Sequence, residues 1–191
     1  MSAFYRLKCS ILLVNMKTNT KISISLRPTT GKVREALFNI LRNKIDNACF
    51  LDLYAGTGAV GIEALKQGAS EVTFVEVSRD YSKNINEALS KFRFTVRARV
   101  ITKKVLSFIE WADTNRMTFD VIFLDPPYHT EEILEIMSAL GRLNILRDRG
   151  VVIAEHFEKR LLPEEFGNLQ KSKDYHYGDT VISFYKIRGA L

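Results

Sequence analysis

Four consecutive residues, Asp125, Pro126, Pro127 and Tyr128, combine groups that can bind a flat, polar substrate. They follow an apolar run at residues 119–123, which predicts a strand buried on both faces. Two prolines cannot continue a strand ladder because neither has an N–H to donate. In open α/β sheets, ligands bind at the carboxyl ends of the strands. We therefore expect Asp125 and Tyr128 to form a platform for a planar, hydrogen-bonding substrate.

A glycine-rich turn provides a second candidate site. Gly56, Gly58 and Gly61 follow an apolar strand that begins at Cys49, and a helical segment comes next. Glycines at this spacing allow a sharp turn, close approach of a ligand and close packing of the helix on the strand. Glu76 ends the next predicted strand, where its carboxylate can accept hydrogen bonds from ribose hydroxyls. These features alone suit NAD as well as S-adenosylmethionine.

Asp52 favours S-adenosylmethionine over NAD. Its carboxylate precedes the turn, where it would attract a cationic sulfonium or amino group and repel a pyrophosphate. The run from Asp52 to Gly58 (Asp-Leu-Tyr-Ala-Gly-Thr-Gly) also resembles the methyltransferase version of this loop.

Three further segments carry a family resemblance. Asp-Pro-Pro-Tyr at 125–128 resembles the signature of S-adenosylmethionine-dependent methyltransferases that modify exocyclic amines of nucleobases. Residues 27–39 (Arg-Pro-Thr-Thr, then Val-Arg-Glu-Ala-Leu-Phe-Asn after Gly31 and Lys32) and residues 177–185 are similar to the bacterial family that methylates the N2 amine of a guanine in 16S ribosomal RNA. The resemblance extends from residue 27 to residue 186.

The resemblance implies a role for each motif residue. The catalytic set is Asp125, Pro126 and Tyr128. The S-adenosylmethionine contacts are Asp52, Tyr54, Ala55, Gly56, Thr57, Gly58, Glu76, Val105 and Asp125. The RNA contacts are Arg27, Thr30, Lys32, Arg34, Pro127 and Tyr128. Related enzymes place an acid against the adenine after the third strand, but this chain has Lys103 and Lys104 there, so we expect the backbone near Val105 to hold the adenine.

The positive charge lies mainly at the start of the chain. The net charge is +6, and residues 1–48 carry nine Lys or Arg side chains against only two acids. A basic arm beside a neutral body is the electrostatic pattern of nucleic-acid binding. We expect ribosomal RNA or the small ribosomal subunit as the partner, although a solvated basic surface would have the same composition.

Length and composition predict one soluble domain. A chain of 191 residues can bury a sizeable core. No apolar run approaches the roughly 20 residues that cross a bilayer. Two unpatterned cysteines and three scattered histidines indicate a reduced compartment and no metal site. We expect a cytoplasmic, monomeric protein.

The elements that position these residues predict a Rossmann-like α/β fold of the class I methyltransferase type. We expect strands near 49–53, 72–76, 98–101, 119–123 and 150–155, with helices at 80–92 and 131–143 among those between them. Residues 169–177 and 180–187 are joined by two residues, which permits only an antiparallel hairpin. The prediction is a mostly parallel seven-stranded sheet in a domain at 27–191, preceded by a basic β arm at 1–26.

Two other functions fit the same motifs. Asp-Pro-Pro-Tyr also serves adenine-N6 methyltransferases of DNA or RNA, although a DNA enzyme would usually need a target-recognition region for which 191 residues leave little room. An RNA-binding ribosome assembly factor without catalysis would keep the basic arm. The intact acids Asp52, Glu76 and Asp125 argue against the assembly factor.

Overall fold

The structure of the protein is a computed structural model that describes residues 31–127 and 131–189. The predicted arm at 1–26 lies outside the described residues. So do Arg27, Thr30 and Tyr128.

Strands and helices alternate through the first two thirds of the described chain. The strands are β1 (Cys49–Leu53), β2 (Glu71–Glu76), β3 (Ala98–Thr102), β4 (Phe119–Leu124), β5 (Leu146–Phe157), β6 (Glu165–Phe166), β7 (Leu169–Tyr177) and β8 (Thr180–Ile187). The helices are α1 (Gly31–Leu41), α2 (Ala59–Lys66), α3 (Arg79–Lys91), α4 (Val105–Thr114) and α5 (Glu132–Leu140), with a short 3₁₀ turn at Thr95–Arg97. None of these helices is long and apolar enough to cross a membrane.

All the strands of the described residues join one sheet in the order β3-β2-β1-β4-β5-β8-β7-β6. Strands β1 to β5 run parallel, and β8 inserts antiparallel between β5 and β7. The predicted fold class, with its parallel sheet and antiparallel hairpin, is confirmed.

Two details of the predicted sheet were wrong. The sheet has eight strands instead of seven, because β6 contributes two residues that are too few to produce a periodic pattern. Strand β5 has 12 residues where the sequence predicted six at 150–155. Near its start, the residues from Arg147 to Arg149 are polar and exposed. The sequence therefore shows no apolar alternation there that would predict a strand.

The core forms two layers, one on each face of the sheet. Helices α1, α2 and α3 cover one face, where they pack on side chains such as Phe50, Phe74 and Phe123. Helices α4 and α5 cover the other face, on residues such as Leu53 and Leu124. Each fully buried side chain of this size contributes about 1.5–3 kcal/mol. This double cover explains why the central strands read as continuous apolar runs.

Helix α5 is held at its far end by two glycines. Gly141 ends the helix, and the backbone N–H of Asn168 donates to its carbonyl oxygen at 2.8 Å. A Cβ at Gly141 would lie 1.8 Å from the Phe166 carbonyl oxygen, and a Cβ at Gly167 would lie 2.5 Å from the Gly141 carbonyl oxygen. The backbone at Gly141 and the backbone at Gly167 therefore approach each other more closely than a side chain on either residue would allow.

Candidate active site

Acidic residues occupy the carboxyl ends of four neighbouring parallel strands. Glu76 ends β2, and Asp52 precedes the last residue of β1. Asp125 directly follows β4. Glu155 lies in β5, and because Leu124 pairs with Ala154, it stands level with Asp125. The predicted site residues Asp52, Glu76 and Asp125 therefore come together at one edge of the sheet, and the structure adds Glu155, which the sequence analysis did not select.

These acids belong to the face covered by α1, α2 and α3. Side chains alternate along a strand, and Phe123 and Ile153 lie in the core cluster of that face. Glu155, two residues after Ile153, therefore points to the same side, as does its cross-strand partner Ile182. Continuing the alternation from Phe123 places Asp125 there as well.

The glycine-rich turn is held by Glu76. The backbone N–H of Gly56 donates to one carboxylate oxygen of Glu76 at 2.8 Å, and the N–H of Ser78 donates to the other at 2.8 Å. Gly56 has φ 52° and Gly58 has φ 74°, a region that favours glycine. A Cβ at Gly58 would also lie 3.0 Å from the side chain of Ile85. The turn after β1 is thus fixed to the end of β2.

Asp52 is buried beneath this turn. Its side chain is 2% exposed, and its carboxylate accepts a hydrogen bond of 2.9 Å from the backbone N–H of Gly61. Burial raises the pKa of Asp52 to about 8, the charge of Glu76 adds to the rise, and the hydrogen bond from Gly61 opposes it. Asp52 is therefore a carboxyl group that a nearby cation would ionise.

The side chain of Tyr54 points to the opposite face of the sheet from that of Asp52. It has a left-handed backbone, with φ 59°, and its ring packs with the α4 and α5 side of the core. Its hydroxyl is buried and faces the carboxylate of Glu132 in α5. Burial raises the pKa of Tyr54, and the carboxylates of Glu132 and Glu135 in α5 reinforce the rise. A contact of Tyr54 with a ligand on the Asp52 side would therefore come from its backbone. Ala55 is buried and Thr57 is exposed.

The region after β3 presents apolar surface instead of the usual acid. Lys103 places its ammonium 5.3 Å from the centre of the Trp111 ring, and its backbone N–H donates to the Glu76 carbonyl at 3.1 Å. Val105 begins α4 and is 4% exposed. Val77, which follows Glu76 and is 65% exposed, offers a more accessible apolar side chain. Val77 is not among the predicted cofactor contacts, although the sequence shows its position directly after the strand-end acid Glu76.

The chain leaves the sheet at the two prolines, as predicted. Asp125 is partly buried, Pro126 is buried and Pro127 is exposed. Both prolines line a narrow crevice with His156 and Arg160. This crevice places the end of β5 next to the turn that follows β4.

The described basic residues of the predicted RNA contacts lie on α1. Lys32 is exposed, and Arg34 is partly exposed. Arg34 lines a groove between α1 and α2 together with Arg42 and Glu63. The first turn of α1 contains no acidic residue, and Glu35, which follows Arg34 directly, lines the same groove.

The residues at this edge fit S-adenosylmethionine. Asp52 offers a buried carboxyl group for a cation, and Glu76 offers carboxylate oxygens for a ribose diol. The turn is open at Gly56, where a Cβ would meet only the Tyr54 carbonyl oxygen at 3.8 Å, so a ligand can approach the backbone there. The exposed side chain of Val77 supplies apolar surface for an adenine ring, and the buried Val105 can offer only its backbone at the start of α4. This donor set suits a cationic nucleoside better than a pyrophosphate.

Comparison with known proteins gives a consistent result. The family described as "Conserved hypothetical protein 95" matches residues 15–186. "Ribosomal RNA small subunit methyltransferase D" of Haemophilus influenzae is 35% identical and aligns with 79% of this chain and 79% of its own length. The protein of the same name in Escherichia coli K12 is 31% identical, over 86% of this chain and 81% of its own. A solved structure described as "Putative methyltransferase yhhF from Escherichia coli" superimposes with a TM-score of 0.75 at 28% identity, covering 86% of this chain and 89% of that one. The chain belongs to the family of conserved hypothetical protein 95, and it is an S-adenosylmethionine-dependent methyltransferase.

Proposed function

We propose that this enzyme methylates the exocyclic N2 amine of a guanine in 16S ribosomal RNA. The observation that carries the proposal is the Asp125-Pro126-Pro127 turn at the end of β4, one strand away from the glycine-rich turn of β1. The relatives named as small-subunit ribosomal RNA methyltransferases support ribosomal RNA as the substrate class.

The chemical difficulty lies in the amine. An exocyclic amine shares its lone pair with the aromatic ring and is a poor nucleophile. The Asp125 carboxylate and the Pro126 carbonyl accept its two N–H hydrogens, which returns electron density to nitrogen and stabilises the positive charge that develops there. Bound S-adenosylmethionine would supply an already activated methyl group, whose bond to sulfur would break as its bond to nitrogen forms, leaving a neutral thioether. The surplus proton on the amine would pass to the Asp125 carboxylate and from there to solvent. The remaining work of the protein is to align the amine for in-line attack.

The other residues at the edge hold the two substrates. Asp52, Glu76 and the backbone from Tyr54 to Gly58 bind the cofactor, and Val77 and Val105 contact its adenine. Tyr128 stacks on the target base, which must be unstacked from the RNA to reach the site. Pro127, which directly precedes Tyr128 in the sequence, is exposed.

The RNA itself is bound by basic side chains and one threonine. We assign this role to Arg27, Thr30, Lys32 and Arg34, together with an arm at residues 1–26 that precedes the catalytic domain at 27–191. The positive charge of the first 48 residues supports this assignment. The protein acts as a cytoplasmic monomer and needs no metal ion.

Labelled-methyl transfer tests the proposal. The purified protein is incubated with labelled S-adenosylmethionine and, separately, with unmethylated small ribosomal subunits, naked ribosomal RNA, transfer RNA or duplex DNA. Identification of the product nucleoside by mass should give N2-methylguanosine from the ribosomal substrates. Methyladenine would assign the enzyme to adenine N6 instead. Tight cofactor binding with no label in any substrate would reject all four candidates.

A further inference from the structure

Glu155 is an acid that the proposed function leaves without a role. It is 2% exposed and lies in β5, the strand next to the one that delivers Asp125. The register of β4 and β5 fixes its position along the strand, because Phe123 pairs with Ile153 and Leu124 pairs with Ala154. The residues that follow these pairs, Asp125 and Glu155, are therefore neighbours at the carboxyl edge.

The direction of Glu155 is set by strand alternation. Ile153 and Ile182, which flank it along and across the strands, both lie in the core cluster under α1, α2 and α3. Asp52 points to this same face, because it accepts its hydrogen bond from Gly61 in α2. Glu155 thus shares one side of the sheet with the acid assigned to the cofactor and with the acid assigned to the target amine.

A second carboxylate at this position matches the edge of guanine. Guanine presents two adjacent donors, the ring N1–H and the exocyclic N2 amine, and a carboxylate accepts but does not donate. Adenine, and any purine without a proton on N1, presents a lone pair at that position. A buried carboxylate would repel this lone pair and would itself lose a partner.

We propose that Glu155 is the specificity-determining residue of the site and that its carboxylate accepts the N1–H of the target guanine. Asp125 and the Pro126 carbonyl accept the hydrogens of the N2 amine in the same complex. Glu155 exchanges no proton with the base, and its role is to select the base and fix its orientation. This inference rests on the proposed function, because it requires guanine N2 as the methyl acceptor.

The test uses RNA in which the target guanosine is replaced by 2-aminopurine riboside. This analogue keeps the amine at position 2, but its N1 carries a lone pair instead of a proton. With wild-type protein, kcat/KM for methyl transfer to the analogue should be lower than for guanosine by about 100-fold or more, as for other sites that lose a designed hydrogen bond. Comparable values for the two substrates in the wild type would overturn the inference without any variant.

Glu155→Gln provides the second arm. Glutamine keeps the size and adds an amide donor that can face a lone pair at N1. The ratio of kcat/KM for guanosine to that for 2-aminopurine should fall at least about 10-fold in this variant. A role of Glu155 in folding alone would lower both values together, so an unchanged ratio would also overturn the inference.

Two controls separate the possible failures. Glu158→Gln makes the same chemical change at an exposed position three residues later and should leave the ratio unchanged. Cofactor affinity of Glu155→Gln, measured by calorimetry, should stay within about two-fold of wild type because two strands, β1 and β4, lie between Glu155 in β5 and Glu76 in β2. If wild-type protein yields no N2-methylguanosine at all, the proposed function fails. If wild-type protein yields N2-methylguanosine and the ratio of kcat/KM for guanosine to that for 2-aminopurine is the same in Glu155→Gln, only the role proposed for Glu155 is wrong.

Discussion

The backbone N–H of Gly61 lies 2.9 Å from the carboxyl group of Asp52 and donates a hydrogen bond to it. Gly61 is in the first turn of α2, where the helix dipole also favours a negative charge. Burial nevertheless outweighs both effects, and it raises the pKa of Asp52 to about 8. In the cofactor-free protein Asp52 is therefore mainly protonated at neutral pH, and a bound cation shifts it towards the ionised form.

Cofactor binding should release a proton at pH 6.5. The free α-amino group of the cofactor is already protonated at this pH, since such groups titrate near 8, so Asp52 is the group that loses a proton. Calorimetry in buffers of different ionisation enthalpy measures the number released. Asp52→Asn should reduce it to near zero. Equal release by the variant and the wild type would assign the proton to another group.

The stability of the cofactor-free protein should depend on pH through the same residue. The pKa of Asp52 is 3.8 in an ordinary setting and about 8 in the fold. Between these values the folded state keeps a proton that the unfolded state has lost. The contribution of Asp52 to the free energy of unfolding is therefore fully present below pH 4 and declines as the pH rises to about 8.

Urea unfolding between pH 5 and 8 checks this decline. The difference in unfolding free energy between Asp52→Asn and wild type should shift in favour of the variant as the pH rises. Asparagine keeps an acceptor for Gly61 and cannot ionise. Parallel pH profiles for the two proteins would contradict the raised pKa.

Gly61→Ala should destabilise the fold by about 1–3 kcal/mol or more. A Cβ at this position would lie 2.3 Å from Cε1 of Phe74 and 2.9 Å from Cγ1 of Val72, so α2 would have to move away from the sheet. Urea unfolding measures the loss. Gly31→Ala is the matched control, because a Cβ there meets nothing within 4 Å, and alanine favours a helix. A harmless Gly61→Ala would mean that α2 packs less closely than the structure has it.

Asp125→Ala should lower single-turnover methyl transfer by at least about 100-fold, the usual cost of losing a group that stabilises developing charge. Cofactor affinity should remain within a few-fold of wild type because Asp52 and Glu76 are intact. Rapid quenching with labelled cofactor and calorimetry give the two values. Turnover near the wild-type rate would remove Asp125 from the mechanism.

Arg34→Gln should weaken RNA binding and reduce the slope of log affinity against log salt by about one. Filter binding of ribosomal RNA at several salt concentrations measures the slope. Arg142→Gln removes an exposed positive charge just beyond α5, on the other face of the sheet, and serves as the control. If both variants change the slope equally, the effect is one of total charge and α1 has no special part in it.

The sequence predicts the placement of Asp52, Glu76 and Asp125 because each ends an apolar run, and the ends of parallel strands meet at one edge. It does not single out Glu155, because in the sequence this residue lies inside a predicted strand. Only the register between β4 and β5 shows that it lies beside Asp125. Strand β6 and the polar start of β5 escape prediction for a related reason. The start of β5 is held by the pairing of Leu146 with Phe119 of β4, which is distant in sequence, and β6 has only two residues, so neither carries much local pattern of its own. The raised pKa of Asp52 depends on burial that only the assembled layers create.

The crossing of Gly141 and Gly167 has a mechanical consequence for the chemistry. Helix α5 follows the Pro126-Pro127 turn in the chain, and Gly141, directly after its last residue, accepts a hydrogen bond from Asn168 in the turn between β6 and β7. A side chain at Gly141 would clash with the Phe166 carbonyl and force α5 away from β6, and we expect that displacement to reach the proposed amine-binding turn at the other end of the helix. A substitution nine residues beyond the start of the helix can therefore misalign the methyl acceptor without touching it.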